Sequence, residues 1–197
     1  AALSAGLWVG VAAPLLPGIV TEIDAFRDPV YQDAFALRIA ERADVILDGL
    51  RPRTMDRLGI GFSVVQERNS GLVWAAISGF GQDGPAWDRP AHDLGYLAAT
   101  GLADLTGRPG EAPSFAGVAV ADGLAAMSAA LNIVSALHLR NRTGQGAFLD
   151  VAIIDGPAFL LSSEYEAHWR GAAPRSRGDT HLSGKYPWYA IHVTRDD

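Results

Sequence analysis

Apolar positions in this chain change period repeatedly, and the changes mark out elements. Between residues 28 and 44, "DPVYQDAFALRIAERAD" repeats apolar residues at helical spacing, with Asp28 placed to cap the helix and Pro29 suited to its first turn. "VILDGL" (45–50) is a short apolar run after a helix, the pattern of a buried parallel strand. "TMDRLGI" predicts a helix closed by Gly59, and "SVVQERN" another short one. "LVWAAISGFG" (72–81) is a second β-rich run ending in glycines. A helix over 93–107 ends at a glycine turn, and "RPGEAPSFAGVAVA" is a loop with room for a short extended piece. The clearest helix is 122–144, capped by Asp122, rich in alanine and leucine, with His138, Arg140 and Arg142 at its end. A glycine-led strand (144–154), a helix (155–171) and a polar loop leading to a strand "WYAIHVT" complete the chain. Alternation of helix and short apolar strand indicates an α/β fold with a parallel sheet. Ligands of such sheets bind at the carboxyl ends of strands, where the loops "DGLRPR" and "SGFGQDGPAWDRPAHD" are expected.

The first twenty residues carry no charge. They lack the basic start of a signal peptide, and Pro14 and Pro17 interrupt them as a membrane span. A buried strand with loops, or the stump of a truncated domain, fits better, and the ending "VTRDD" reads as a cut inside an element. The expected division is 1–27 an unassigned apolar segment, 28–171 an α/β core, and 172–197 a linker and the start of a small domain.

Composition narrows the chemistry. Of 197 residues, 49% are hydrophobic and 19% charged, a globular balance, and the formal net charge of −6 argues against a nucleic-acid partner. The absence of cysteine excludes disulfides, thiolate metal sites and a cysteine nucleophile. It agrees with a cytoplasmic location. His138, His168, His181 and His192 have no metal-ligand spacing, so no metal site is expected. Ser78, Ser162 and Ser163 lack the surroundings of a hydrolase nucleophile.

Four features could carry chemistry, each beside a plainer reading. His92 follows a loop at a strand's exit and could exchange a proton near neutral pH; alternatively His92 and Asp93 merely open a helix, with Asp93 as its cap. Asp122 could be a base or nucleophile among small neighbours (Ala121, Gly123, Ala125, Ala126), or simply an N-cap. "SGFGQDGP" could bring backbone N–H groups to an oxyanion, or be a turn. Arg51, Arg53 and Arg57 could grip phosphates, or line a solvated face.

Several ordered segments together resemble the family III CoA-transferase superfamily, the CaiB/BaiF group that includes the α-methylacyl-CoA racemases. They are "ADVILDGLRPRTMDRLGIG", "ISGFGQDGP", "RPAHDLGYLAATGLADLTG", "ADGLAAM" and "RTGQGAFLDVAIIDG". The resemblance covers about residues 28–165. It implies a Rossmann-like large domain, an acyl-CoA thioester substrate with coenzyme A as part of it and no separate cofactor, and an interlocked homodimer without a membrane span. It also implies that this chain is a fragment, with the small domain mostly beyond Asp197. "DGLRPRTMDRLG" is similar to the family's CoA-contacting turn, which suggests Gly49, Leu50 and Arg51 at the nucleotide end and Arg57 on a phosphate. "AHDLGY" resembles the racemase loop, with His92 a base and Ala91, Asp93 and Tyr96 lining the pocket. Asp122 matches an aspartate common to both branches: one of two bases in racemases, the nucleophile that forms a mixed anhydride in transferases. His92 and the tail favour the racemase branch. "FAGVAVADGLAAM", with Val118 where racemases usually have asparagine, favours transfer. The racemases' partner glutamate would fall beyond Asp197. A two-base 2-methylacyl-CoA racemase is the leading expectation, a CoA-transferase the alternative, and an inactive CoA-binding member a third reading.

Overall fold

The structure, a computed structural model, describes residues 7–11 and 19–22 as backbone and 36–195 in full. Asp28 and Pro29, proposed to start the first helix, lie outside the described residues. The chain forms two compact units: Ala1–Pro90 with Ala125–Ile153, and Ala91–Leu124 with Ile154–Asp197.

The first unit is built on five strands: β1 (Leu7–Val11), β2 (Ile19–Glu22), β3 (Val45–Asp48), β4 (Val73–Ser78) and β5 (Ala147–Ala152), ordered β2-β1-β3-β4-β5. β3, β4 and β5 are parallel, in registers that set Val45 beside Val73 and Val73 beside Ala147. β1 runs antiparallel to both β2 and β3, so the apolar N-terminal stretch supplies an antiparallel wing to a parallel centre. The central strand is the most deeply buried: Val73, Trp74, Ala75 and Ala76 are inaccessible to water, as expected where both faces of a parallel strand are covered.

Helical residues 36–40 (α1) and the short helices α2 (Thr54–Arg57) and α3 (Phe62–Arg68) belong to this unit. Leu37, Ala40, Met55, Ile60 and Val65 bury their side chains with Ile46 and Trp74. Phe62 meets Trp74 edge-on and lies 5.1 Å from Phe148. Asn69 ties helix to sheet: its amide donates to the carbonyls of Ala40 (3.0 Å) and Ala43 (2.9 Å), and its side-chain oxygen accepts the Gly71 N–H. The same entrance to the sheet demands glycine at 146, where a Cβ would lie 1.8 Å from the Leu72 carbonyl oxygen. α6 (Val120–Thr143) enters this unit at Ala125. It buries a stripe of small residues, Ala125, Ala129 and Ala136, and Arg140 pairs with Asp44 at 2.8 Å. By length and composition alone it could cross a membrane; one face buries these alanines, while Met127, Leu131, Val134 and Leu139 stay exposed.

The second unit contains α4 (Asp93–Thr100), α5 (Leu102–Leu105), the first turn of α6, α7 (Asp155–Leu160), α8 (Ser162–Trp169) and a 3₁₀ turn at Pro187–Tyr189. Three expectations are corrected here. The single helix expected over 93–107 breaks at Gly101, whose φ of 88° ends α4 in the left-handed region. The helix expected over 155–171 breaks at Leu161, whose N–H is shared between the carbonyls of Pro157 and Ala158. The strand expected at "WYAIHVT" is absent: the segment is a 3₁₀ turn followed by irregular chain. Tyr186 stacks on Trp188, and the His192 ring reaches the Pro187 carbonyl at 2.7 Å.

Candidate functional site

The turn after β3 is organised by its first residue. The Asp48 carboxylate accepts the Leu50 N–H at 3.0 Å, closing an Asx turn that exposes Gly49 and Arg51 while Leu50 packs against the core. Burial pushes the Asp48 carboxyl up to about 6; hydrogen bonds from Leu50 and Trp74 oppose the rise and Asp56 adds to it. Asp48 is not among the residues that the sequence pattern singles out. The available signal was a carboxylate ending an otherwise apolar strand. Beyond the turn, the Arg57 guanidinium donates to the Thr54 hydroxyl (2.9 Å) and is otherwise exposed.

The glycine loop leaves the carboxyl end of β4, the same edge of the sheet as the Asp48 turn. Gly81 takes a φ of 88°, and the next N–H, that of Gln82, donates to Asp150 of β5 at 2.9 Å. Asp150 therefore occupies one of the backbone donors that the sequence left open for an oxyanion. Just before the loop, the buried Ser78 hydroxyl has no hydrogen-bond partner.

His92, Asp93, Tyr96 and Asp122 all belong to the second unit. His92 occupies the N-cap position of α4 with extended backbone, its side chain exposed and making no capping bond. Tyr96, one turn on, is buried and donates its hydroxyl to the Ala91 carbonyl at 3.1 Å, which fixes the loop that carries His92. Asp93 does not cap its own helix. Its carboxylate accepts the Asp122 N–H at 3.0 Å, so it caps α6, a helix 29 residues away in sequence. Asp122 accordingly is not the cap of α6; it lies inside the first turn, which begins at Val120.

Three charges thus meet at two helix starts. Partial desolvation, first, and the neighbouring Asp93 carboxylate, second, raise the Asp122 pKa, while His92 pulls it down. His92 thus bears on the charge of Asp122, a residue 30 positions away (122 − 92). Tyr96 is also raised, by burial and then by Asp122. A carboxylate lifted from its usual range is a better proton acceptor, and an imidazole is a natural proton carrier.

Other features lie apart from these residues. A cavity of about 310 Å³ in the second unit is lined by Thr100, Leu161, Glu164, Tyr165, His168 and Arg175, and not by His92, Asp93, Tyr96 or Asp122. Among the described residues no group of three histidines or carboxylates is placed to hold a metal ion.

Known proteins share this sequence over most of its length. The profile of CoA-transferase family III matches residues 31–197. Human α-methylacyl-CoA racemase is 34% identical over 160 residues, 81% of this chain and 42% of that protein. Succinyl-CoA–D-citramalate CoA-transferase of Chloroflexus aurantiacus is 32% identical over 200 residues, 96% of this chain and 49% of that one. A CaiB/BaiF family protein from Brucella suis superposes with a TM-score of 0.68 at 30% identity, covering 72% of this chain and 38% of that one. The chain therefore spans less than half the length of these relatives. The match over residues 31–197 places the chain in CoA-transferase family III.

Proposed function

We propose that the protein acts on acyl-CoA thioesters, and that the reaction is racemisation or epimerisation at the α-carbon of a 2-methylacyl-CoA. The observation that carries this reading is the 3.0 Å bond from the Asp122 N–H to the Asp93 carboxylate, which ties the helix start led by His92 to the one that holds Asp122. Inversion of an acidic carbon needs two bases, one to remove the proton and one to return it from the other face. The raised Asp122 carboxylate and the exposed His92 imidazole are the pair for that work. Coenzyme A enters as part of the substrate; Gly49, Leu50, Arg51 and Arg57 are assigned to it, and Ala91, Asp93 and Tyr96 to the pocket, from the family resemblance. An interlocked homodimer in the cytoplasm belongs to the same proposal.

The test is solvent exchange. Incubation with 2-methylacyl-CoA in D₂O is expected to wash deuterium into the α-position without an acceptor acid. His92→Ala and Asp122→Asn should each slow the exchange at least a hundredfold.

A second reading, CoA transfer with Asp122 as nucleophile, is favoured by its exposed carboxylate and by the comparable identity to a transferase. No exchange, together with an aspartyl adduct at residue 122 trapped by hydroxylamine, would establish transfer and eliminate racemisation.

A further inference from the structure

Arg53 is the only non-glycine residue with a positive φ among those described, at φ 61° and ψ 6°. A residue with a Cβ is held there against a steric cost of about 1–2 kcal/mol. Such strain persists only where the surroundings over-determine it, and ligand clamps are one such place. Here the surroundings are visible. The Arg53 guanidinium lies over the Trp87 ring, 4.3 Å from its centroid. Trp87 belongs to the loop that leaves β4, and Arg53 to the turn that leaves β3 at the same edge of the sheet. In the β4 loop Arg89 lies over Phe80 at 6.0 Å.

Charge makes the arrangement informative. The chain has a formal net charge of −6. Yet Arg51, Arg53, Arg57 and Arg89, on two loops leaving one sheet edge, form no ion pair with a carboxylate among the described residues. The arginines that do pair, such as Arg68, Arg140 and Arg177, lie elsewhere. Like charges gathered without a protein counter-ion favour an anion from outside. A guanidinium stacked by its flat face on an aromatic ring keeps its N–H edge free for a bidentate phosphate contact.

We propose that Arg53, held in the left-handed region and stacked on Trp87, is a phosphate-binding residue that makes this turn prefer nucleotide-bearing CoA thioesters to pantetheine alone. The assignment rests on the acyl-CoA reading above and adds a residue to it. The acceptor is a phosphate of the CoA nucleotide, either the 3′-phosphate or the diphosphate.

Calorimetric titration with CoA, 3′-dephospho-CoA and pantetheine tests it, on wild type, Arg53→Gly and Trp87→Leu. Glycine accepts a φ of 61° without strain, so Arg53→Gly should melt no lower than wild type. It should bind CoA about tenfold more weakly or worse, with a shallower salt dependence and unchanged affinity for pantetheine. Trp87→Leu should show the same selectivity with a smaller loss. A loss for CoA that disappears with 3′-dephospho-CoA assigns the contact to the 3′-phosphate; a loss that persists assigns it to the diphosphate. Unaltered CoA binding by Arg53→Gly, or parallel loss for CoA and pantetheine, overturns the proposal while leaving the acyl-CoA reading intact. A wild-type protein that binds neither CoA nor pantetheine overturns both.

Discussion

The two units hold themselves together by different means. In the first, specificity comes from close approach of backbone: three parallel strands, a central strand closed to water, and Gly146 pressed against Leu72. In the second, buried apolar side chains are few and polar ties carry the tertiary order. The Tyr165 hydroxyl donates to the Thr100 carbonyl at 2.8 Å, Arg177 grips Asp104 and the Glu111 carbonyl, and Asp93 caps α6. Large side chains such as Phe115, Trp169, Trp188 and Ile191 remain exposed there. The contrast teaches that the sheet unit should be sensitive to volume, and the helical unit to removal of single polar groups.

Gly146→Ala sharpens the contrast most. The new methyl would have to displace the Leu72 carbonyl, which cannot move without disturbing the entry of two strands. The expected loss is about 3 kcal/mol or more, read as a lower urea midpoint with unchanged slope. A loss under 1 kcal/mol would show that the sheet yields more than its packing implies.

Asp48→Asn is expected to act next most strongly, and only at higher pH. The folded chain holds its Asp48 proton up to about 6, whereas the unfolded chain releases it near 3.8. The penalty for burying this carboxyl is therefore absent below about pH 4, grows as pH rises, and is complete above about pH 6. Asparagine keeps an acceptor for the Leu50 N–H and has no proton to lose. Relative to wild type it should gain about 2 kcal/mol at pH 8 and nothing at pH 4, in paired denaturation curves. A pH-independent difference would remove Asp48 as the buried acid of the sheet unit.

Asp93→Ala should have the smallest effect on stability, about 1 kcal/mol, the usual worth of a helix cap. Its signature is local: amide exchange at Asp122 should speed up while amides of β4 stay protected. Equal loosening of both would erase the distinction between the units.

The same distinction explains what could be read in advance. β3, β4 and β5 were legible because a short apolar run between helices has one stable destination, and Gly59 marked a real stop. The breaks at Gly101 and Leu161 were not. A glycine inside an alanine-rich pattern does not announce which φ it will adopt, and Leu161 has no sequence mark at all. "WYAIHVT" is rich in the aromatic and β-branched residues that strands favour, but a strand also needs an edge to join, and composition cannot supply one. At the candidate site, residue types were legible and their bonds were not. Asp93 looked like the cap of the helix that follows it, yet it serves a helix 29 residues on, a long-range choice invisible to local spacing. Asp48 and Asp150 escaped notice because their roles depend on neighbours in adjacent strands and turns.

The bond between Asp93 and Asp122 also limits how negative charge is met at this helix start. A helix offers its first N–H groups to an arriving anion. Here the Asp122 N–H is already given to a side chain of the protein, and the Gly123 N–H to the Ala119 carbonyl at 3.3 Å. An anion arriving at this helix start finds one of its first N–H groups already taken, with the Asp93 carboxylate beside it.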